Sequence, residues 1–297
     1  MLEQRDKFKN DAGCLAACVS AFWISYQKQS MTNLTHYPLL IFVISFVALW
    51  LAALLGRVVL RGNHNHDSDL REDFGTILAA ALTLLGLIIA FSFSMATDRY
   101  DDRMNFEEGE ANAIGTEYVR ADLLPAKDGD TVRSLLRSYL DLRIDFYVAN
   151  DDAEILSART RTAESQAHLW SAILPVAAAQ PTAITALAVS GMNDVLNAQG
   201  YAQAMFWNRI PVSAWCLIWA IAFGCNLLVG YGSRSLAGGL RLLPILPTLV
   251  ATALMFIADI DAPRHGIIRV QPQNLMSLAD SLRVQSTANE AKTALAE

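Results

Sequence analysis

The stretch FGTILAAALTLLGLIIAFSFSMAT, Phe74 to Thr97, runs for 24 residues without a Lys, Arg, Asp or Glu. A bilayer core about 30 Å thick needs roughly 20 apolar helical residues, so this block is long enough to cross one. Three further charge-free blocks surround it. There are 28 such residues between Lys28 and Arg57, with the densest part PLLIFVISFVALWLAALL at Pro38–Leu55. There are 24 from Ile210 to Ser233 and 17 from Leu242 to Ala258. The last sits at the lower limit, and its Pro244 and Pro247 fall in the first turns, where a missing N–H costs least. Four such blocks predict four membrane helices. Over all 297 residues, 53% are apolar and only 18% charged, against about 25% charged in ordinary soluble domains. Mean hydropathy is +0.29 and net charge −6, which excludes a disordered chain. Cys14, Cys18, Cys216 and Cys225 do not form a disulfide framework: on a straight helix Cys216 and Cys225 stand about 13 Å apart.

Four spans put both termini and the segment between the second and third spans on one side. Lys and Arg near the span ends favour that side being inside, an excess that leans on the first 30 residues. Within Met1–Ser30, charges precede an apolar run, Cys14–Tyr26, with no A-x-A site after it. This stretch reads as an extension or a short interfacial helix rather than a signal peptide. Met31, which opens MTNLTHYPLL, is an alternative start.

Asp98 to Asn208 is too long for a loop and needs its own structure. Val132, Leu135, Leu136, Tyr139, Leu140, Phe146 and Tyr147 recur at helical spacing, as do Ile184, Leu187, Met192, Val195 and Leu196. The second membrane helix is expected to continue unbroken to Leu124, with two to four helices after it. The apolar run His168–Pro181 is read as a buried or interfacial helix. This domain has nine Lys and Arg against seventeen Asp and Glu, net −8. Such a charge disfavours nucleic acid as a partner and repels anions at long range.

On the second span Thr76, Ala80, Thr83, Leu87, Ala90, Ser94 and Thr97 share one face at 100° per residue. A small, hydroxylated stripe lets helices approach closely in lipid, and it equally suits a pore wall. Phe91 and Phe93 flank it as a candidate apolar gate. The loop residues His64, His66, Asp67 and Asp69 are metal-competent, but their spacing matches no established metal motif and they read as a solvated loop. Glu107, Glu108, Glu110 and Glu117, with Arg103 and Arg120, read as a solvated or ion-paired helix face. Asp259 and Asp261 read as the end of the fourth apolar block. No catalytic, cofactor or metal motif is found: there is no P-loop, G-x-S-x-G, H-E-x-x-H or C-x-x-C. The chain is therefore expected not to be an enzyme and to carry no cofactor.

The runs GLIIAFSFSMATDRYDDR (Gly86–Arg103), EANAIGTEYVRADLLP (Glu110–Pro125), LLRSYLDLRIDFY (Leu135–Tyr147), NRIP (Asn208–Pro211) and ADIDAPRHGIIRVQPQNL (Ala258–Leu275) together resemble the bestrophin-like domain family of bacterial membrane proteins. The likeness extends over residues 38–285 in matching order. It implies the bestrophin architecture: a pentameric ion channel with four membrane helices per subunit and cytoplasmic termini. The second membrane helix would line the pore and carry a hydrophobic neck. Carried across, the neck falls on Ile88, Phe91 or Phe93. The acidic calcium clasp of animal bestrophins is not carried across, because only Asp259 and Asp261 precede Pro263-Arg264-His265-Gly266.

The expected fold is an all-α membrane protein with four transmembrane helices and a helical soluble domain between the second and third. Its divisions are an N-terminal extension (1–36), a first hairpin (37–97), the helical cytoplasmic domain (98–208), a second hairpin (209–260) and a C-terminal tail (261–297). The expected function is an oligomeric ion channel of unknown ion in the bacterial inner membrane. Its partners would be membrane lipid and further copies of itself, a pentamer. Candidate pore or helix-packing residues are Thr76, Thr83, Ile88, Ala90, Phe91, Phe93 and Ser94. The alternative is a non-conducting scaffold or sensor whose helical domain binds a partner.

Overall fold

The computed structural model describes residues 37–58, 68–233, 239–264 and 266–294, and among these every regular element is a helix. In chain order they are α1 (Pro38–Val58), α2 (Ser68–Arg120), a 3-10 turn (Ala121–Leu123), α3 (Ala126–Val148), α4 (Asp152–Ala179) and α5 (Ala183–Trp207). There follow α6 (Val212–Gly232), a single turn α7 (Gly239–Leu242), α8 (Ile245–Asp261) and α9 (Gln273–Ala294). The N-terminal extension, the two candidate starts and His64, His66 and Asp67 lie outside the described residues. The chain divides into two compact units, one of residues 1–97 and 210–268, the other of 98–209 and 269–297.

In the first unit α1 packs against both α6 and α8, which scarcely touch each other. Its buried residues are Ile41, Ser45, Leu49, Ala52, Ala53 and Gly56, a seam of three- and four-residue steps. Leu39, Val43, Val47, Leu51 and Leu55 stay exposed, so the outward face is as apolar as the seam. That pattern suits lipid and not water. The crossing of α1 and α6 is tight. A methyl placed on Gly56 would strike the Leu227 carbonyl, and one on Gly230 would strike the Ala53 carbonyl. These pairings run in opposite directions along the two helices, so α1 and α6 are antiparallel. Small residues at such crossings let backbones meet closely. Trp215 of α6 is buried.

Among the described residues three helices are long and apolar enough to cross a membrane, within Pro38–Val58, Asp73–Leu123 and Ala183–Gly232. The fourth expected span is α8, whose 17 residues fall just below that length. Within α8, Val250, Ala251, Leu254 and Ile257 to Asp261 are buried.

The second unit is built on the far part of α2. This helix continues without a break from the apolar block to Arg120, and the 3-10 turn and Pro125 end it. Three helices then follow before Pro211. The core joins Ile114 of α2 to Leu136, Tyr139, Leu140 and Phe146 of α3, Leu169 and Ile173 of α4, Met192 and Val195 of α5, and Leu275 and Leu282 of α9. Pro175 lies inside α4, near its end, between the buried Ile173 and Val176. The run His168–Pro181 thus includes the buried end of a helix. Thr182 caps α5 by accepting from the Thr185 N–H at 3.1 Å. Sequence reading draws a tail from 261 onward, yet residues 273–294 form α9. Leu275, Ala279 and Leu282 seat that helix in the core.

Candidate functional site

The membrane part of α2 has one packed face and one open face. Leu85, Ser92 and Ala96 are buried, and Phe74, Leu78, Ala81 and Ile89 are half-buried along the same line. Phe74 and Ala81 on this line meet α6. The rings of Phe74 and Tyr231 meet edge-on with centroids 5.1 Å apart, and the Cys225 thiol donates to the Ala81 carbonyl at 3.4 Å. At about 100° per residue, Thr76, Thr83, Ala90 and Ser94 lie on the opposite side of the helix. All four are exposed. The Thr83 hydroxyl donates to the Ala79 carbonyl at 2.8 Å, and Thr97 to Phe93 at 3.1 Å, so these hydroxyls are partly satisfied within their own helix.

The remaining candidates separate. Phe91, 62% exposed, flanks the stripe on one side, and Phe93, 45% exposed, stands further round on the other. The two rings therefore do not share a face. Ile88 is half-buried and lies toward the packed side. The stripe faces away from the contacts that Phe74 and Ala81 make with α6.

The acidic residues further along α2 are not a solvated face. Arg103, Glu107, Glu110 and Glu117 are buried beside Ile114, and of the four glutamates only Glu108 is exposed. Their steps of three, four and seven place them on the core side of the helix. Glu110 pairs with the buried Arg143 of α3 through both oxygens, the second at 3.2 Å, and accepts from the Tyr147 hydroxyl at 3.3 Å. The Arg143 guanidinium lies 4.5 Å from the centre of the Phe146 ring. Burial first, then the Glu110 charge, pushes the Tyr139 and Tyr147 hydroxyls above their ordinary range. Glu107 accepts from the Leu275 N–H at 2.9 Å and from the Asn274 side chain at 2.7 Å. It thereby caps the first turn of α9 from another helix. Arg103 donates to the Met205 carbonyl at 3.4 Å.

At the end of α8 both aspartates are buried and bonded to backbone. Asp261 accepts from the Ile210 N–H at 3.1 Å. Asp259 accepts from Ile267 at 2.6 Å and Ile268 at 3.0 Å. They hold the entry to α6 and the turn after α8, a task beyond ending an apolar block. Among the described residues no group of three or more His, Cys, Asp or Glu is placed to hold a metal ion.

The family model of the bestrophin-like domain matches residues 40–275 of the chain. The chain belongs to the bestrophin-like family. No curated protein matches it. Among solved structures, this bestrophin-like chain is similar to a bacterial bestrophin homologue from Klebsiella pneumoniae, with TM-score 0.56 and 10% identity over 80% of this chain and 98% of that one. Two point variants of that homologue match with TM-scores of 0.59 and 0.58, each at 10% identity. They cover 81% and 80% of this chain and 97% of each of those. At that identity the likeness is one of fold.

Sequence reasoning missed the buried charges of this bestrophin-like chain. The signal was present: Glu107, Glu110, Glu117 and Arg103 keep the helical register of Ala111 and Ile114. What was absent was any local sign of their partners, since Arg143 and Leu275 lie 33 and 168 residues away.

Proposed function

We propose that this bestrophin-like chain is one subunit of an oligomeric membrane channel that passes ions. In this reading α1, residues 74–97 of α2, α6 and α8 are the four spans, and the termini and residues 98–208 face the cytoplasm across the bacterial inner membrane. Copies of α2, five by the family resemblance, surround an axis. The observation that carries this is the open face of α2. Thr76, Thr83, Ala90 and Ser94 lie opposite the line that packs on α6, exposed along the whole apolar block. Lipid rewards no such row of hydroxyls and small side chains, whereas close-set copies or a wetted pathway do. Phe91, at the flank of the stripe, is the neck candidate this geometry favours. Phe93 and Ile88 stand further from the stripe.

Native mass spectrometry of the detergent-solubilised complex tests the assembly. A fivefold multiple of the 32.5 kDa chain supports the reading. Reconstituted ion flux then tests conduction. A complex that stays monomeric or dimeric with dissociation excluded, or a pentamer with no flux above empty vesicles, overturns it.

A second reading, a scaffold or sensor, draws on the second unit. A groove of about 680 Å³ between α2 and α9 is lined by Asn112, Thr116, Arg120, Asn274, Ser277 and Leu278. A membrane pull-down with no reproducible partner for this unit counts against it.

A further inference from the structure

Three glutamates of α2 are buried, and two of them have donors: Arg143 and Tyr147 for Glu110, Asn274 and the Leu275 N–H for Glu107. Glu117 has none. It has no exposed surface, and neither carboxylate oxygen has a hydrogen-bond partner. An ionised carboxylate without donors is costly to bury, so this position favours the neutral acid. The fold makes room for it. Glu117 lies against Gly191 of α5, where any Cβ would collide with its Oε2 and with Nη1 of Arg120. The charged groups that face it are Arg120 from its own helix and Asp194 from α5. Arg120 lies between the two carboxylates, its Nη1 3.8 Å from Asp194 and close to Glu117 without hydrogen-bonding to it. The α9 residues that line the same groove as Arg120 are Asn274, Ser277, Leu278 and Ser281, none of them titratable.

We propose that Glu117 is a proton-binding site and that its ionisation draws Arg120 from Asp194 to Glu117, giving the α2–α5 contact two pH-dependent arrangements. One guanidinium between two carboxylates that differ in burial is a two-position element. With Glu117 neutral, Arg120 goes to the exposed Asp194. With Glu117 charged, the buried anion has the stronger claim on it. Gly191, lacking a Cβ, lets both side chains lie against α5. The site lies twenty residues beyond Thr97 in the chain and belongs to the second unit. It does not depend on whether the chain conducts.

The sign of the pH effect follows. Burial, opposed by Arg120 and aided by Asp194, lifts the Glu117 carboxyl from its ordinary 4.5 to about 8. The unfolded chain loses this proton near 4.5 and the folded chain keeps it to about 8. The stabilisation is therefore complete below 4.5 and is lost as pH rises through that window to about 8.

The test uses the full chain in detergent micelles. Infrared difference spectra from about pH 6.5 to about pH 9.5 should lose a protonated-carboxyl C=O band in the wild type, and Glu117→Gln should lack that change. The thermal midpoint of the wild type should fall between about pH 4.5 and about pH 8 and level off above, while that of Glu117→Gln stays nearly level. Asp194→Asn removes the competing acid and should shift the band's titration to lower pH. A wild type without the band, or a Glu117→Gln variant that folds and keeps the wild-type pH slope and band, overturns the proposal. Should Glu117→Gln fail to fold, the wild-type band and its shift in Asp194→Asn decide the matter. A band that Asp194→Asn does not move then overturns it.

Discussion

Gly230 of α6 rests its Cα against the carbonyl oxygen of Ala53 on α1, and one turn away Gly56 of α1 meets the Leu227 carbonyl in the reverse sense. Backbone meets backbone at both points, so neither contact can yield by a side-chain rotation. Gly56→Ala and Gly230→Ala should each force the helices apart. The expected cost is about 1–3 kcal/mol, the usual range for overpacking. Gly224, also on α6, has nothing within 4 Å of a would-be Cβ. Gly224→Ala should leave stability unchanged or raise it by up to about 1 kcal/mol through helix propensity. Thermal unfolding in one detergent ranks the three. Equal behaviour of Gly224→Ala and Gly230→Ala would contradict this crossing.

The Glu110–Arg143 pair carries a different expectation. Both side chains are fully buried. Removing one leaves the other charged and unpaired, so Arg143→Met should cost about 3–5 kcal/mol. Replacing both, Glu110→Leu with Arg143→Met, removes the unpaired charge as well as the pair. That double variant should recover most of the loss, measured as a midpoint well above that of Arg143→Met alone. A double variant no more stable than the single one would mean that the pair's geometry, and not its charge balance, holds α2 to α3.

The sequence makes the membrane blocks legible because lipid imposes a length and a lack of charge, and both are counted directly. It also makes the long run of α2 legible, since no proline interrupts the register before Pro125. It hides whatever depends on distant partners. Glu107 reads like Glu108 until α9 brings the Leu275 N–H to it. The helix α9 is itself faint, because among its described residues Leu275, Ala279 and Leu282 mark the buried side while Met276 and Val284 are exposed. Which face of α2 is open is likewise absent from its own residues. The stripe looks the same whether it packs on α6 or turns away, and only the contacts of Phe74 and Ala81 decide.

Asp259 and Asp261 should be more sensitive than their place at a helix end suggests. Asp261→Ala leaves the buried Ile210 N–H without its acceptor, and Asp259→Ala does the same to Ile267 and Ile268. The lost acceptor at the buried Ile210 N–H costs about 1–3 kcal/mol, and the loss at the more exposed Ile267 and Ile268 should be smaller. Asp261→Asn keeps one carbonyl oxygen and should lose less than Asp261→Ala. Thermal midpoints of the three variants check this order. If Asn and Ala prove equivalent at 261, the aspartate acts through its charge and not as an acceptor.

The open face of α2 makes the sharpest division between the chain's own stability and its assembly. Thr83 and Ala90 are exposed, whereas Ala96 is fully buried on the opposite line of the same helix. Ala96→Leu should overpack the fold itself, lowering the thermal midpoint by the equivalent of about 1–3 kcal/mol in any oligomeric state. Thr83→Leu and Ala90→Leu touch no packed line of their own chain. As detergent-isolated monomers they should unfold at the wild-type temperature. Their effect should instead appear in the assembled complex, as loss of the high-mass species or as altered flux through it. Phe91→Ala should change flux while leaving both monomer stability and assembly mass intact, since its ring flanks the stripe and is 62% exposed. Wild-type mass and wild-type flux in all three stripe-face variants would assign that face to lipid. The pathway for ions, if the complex conducts, would then have to run elsewhere.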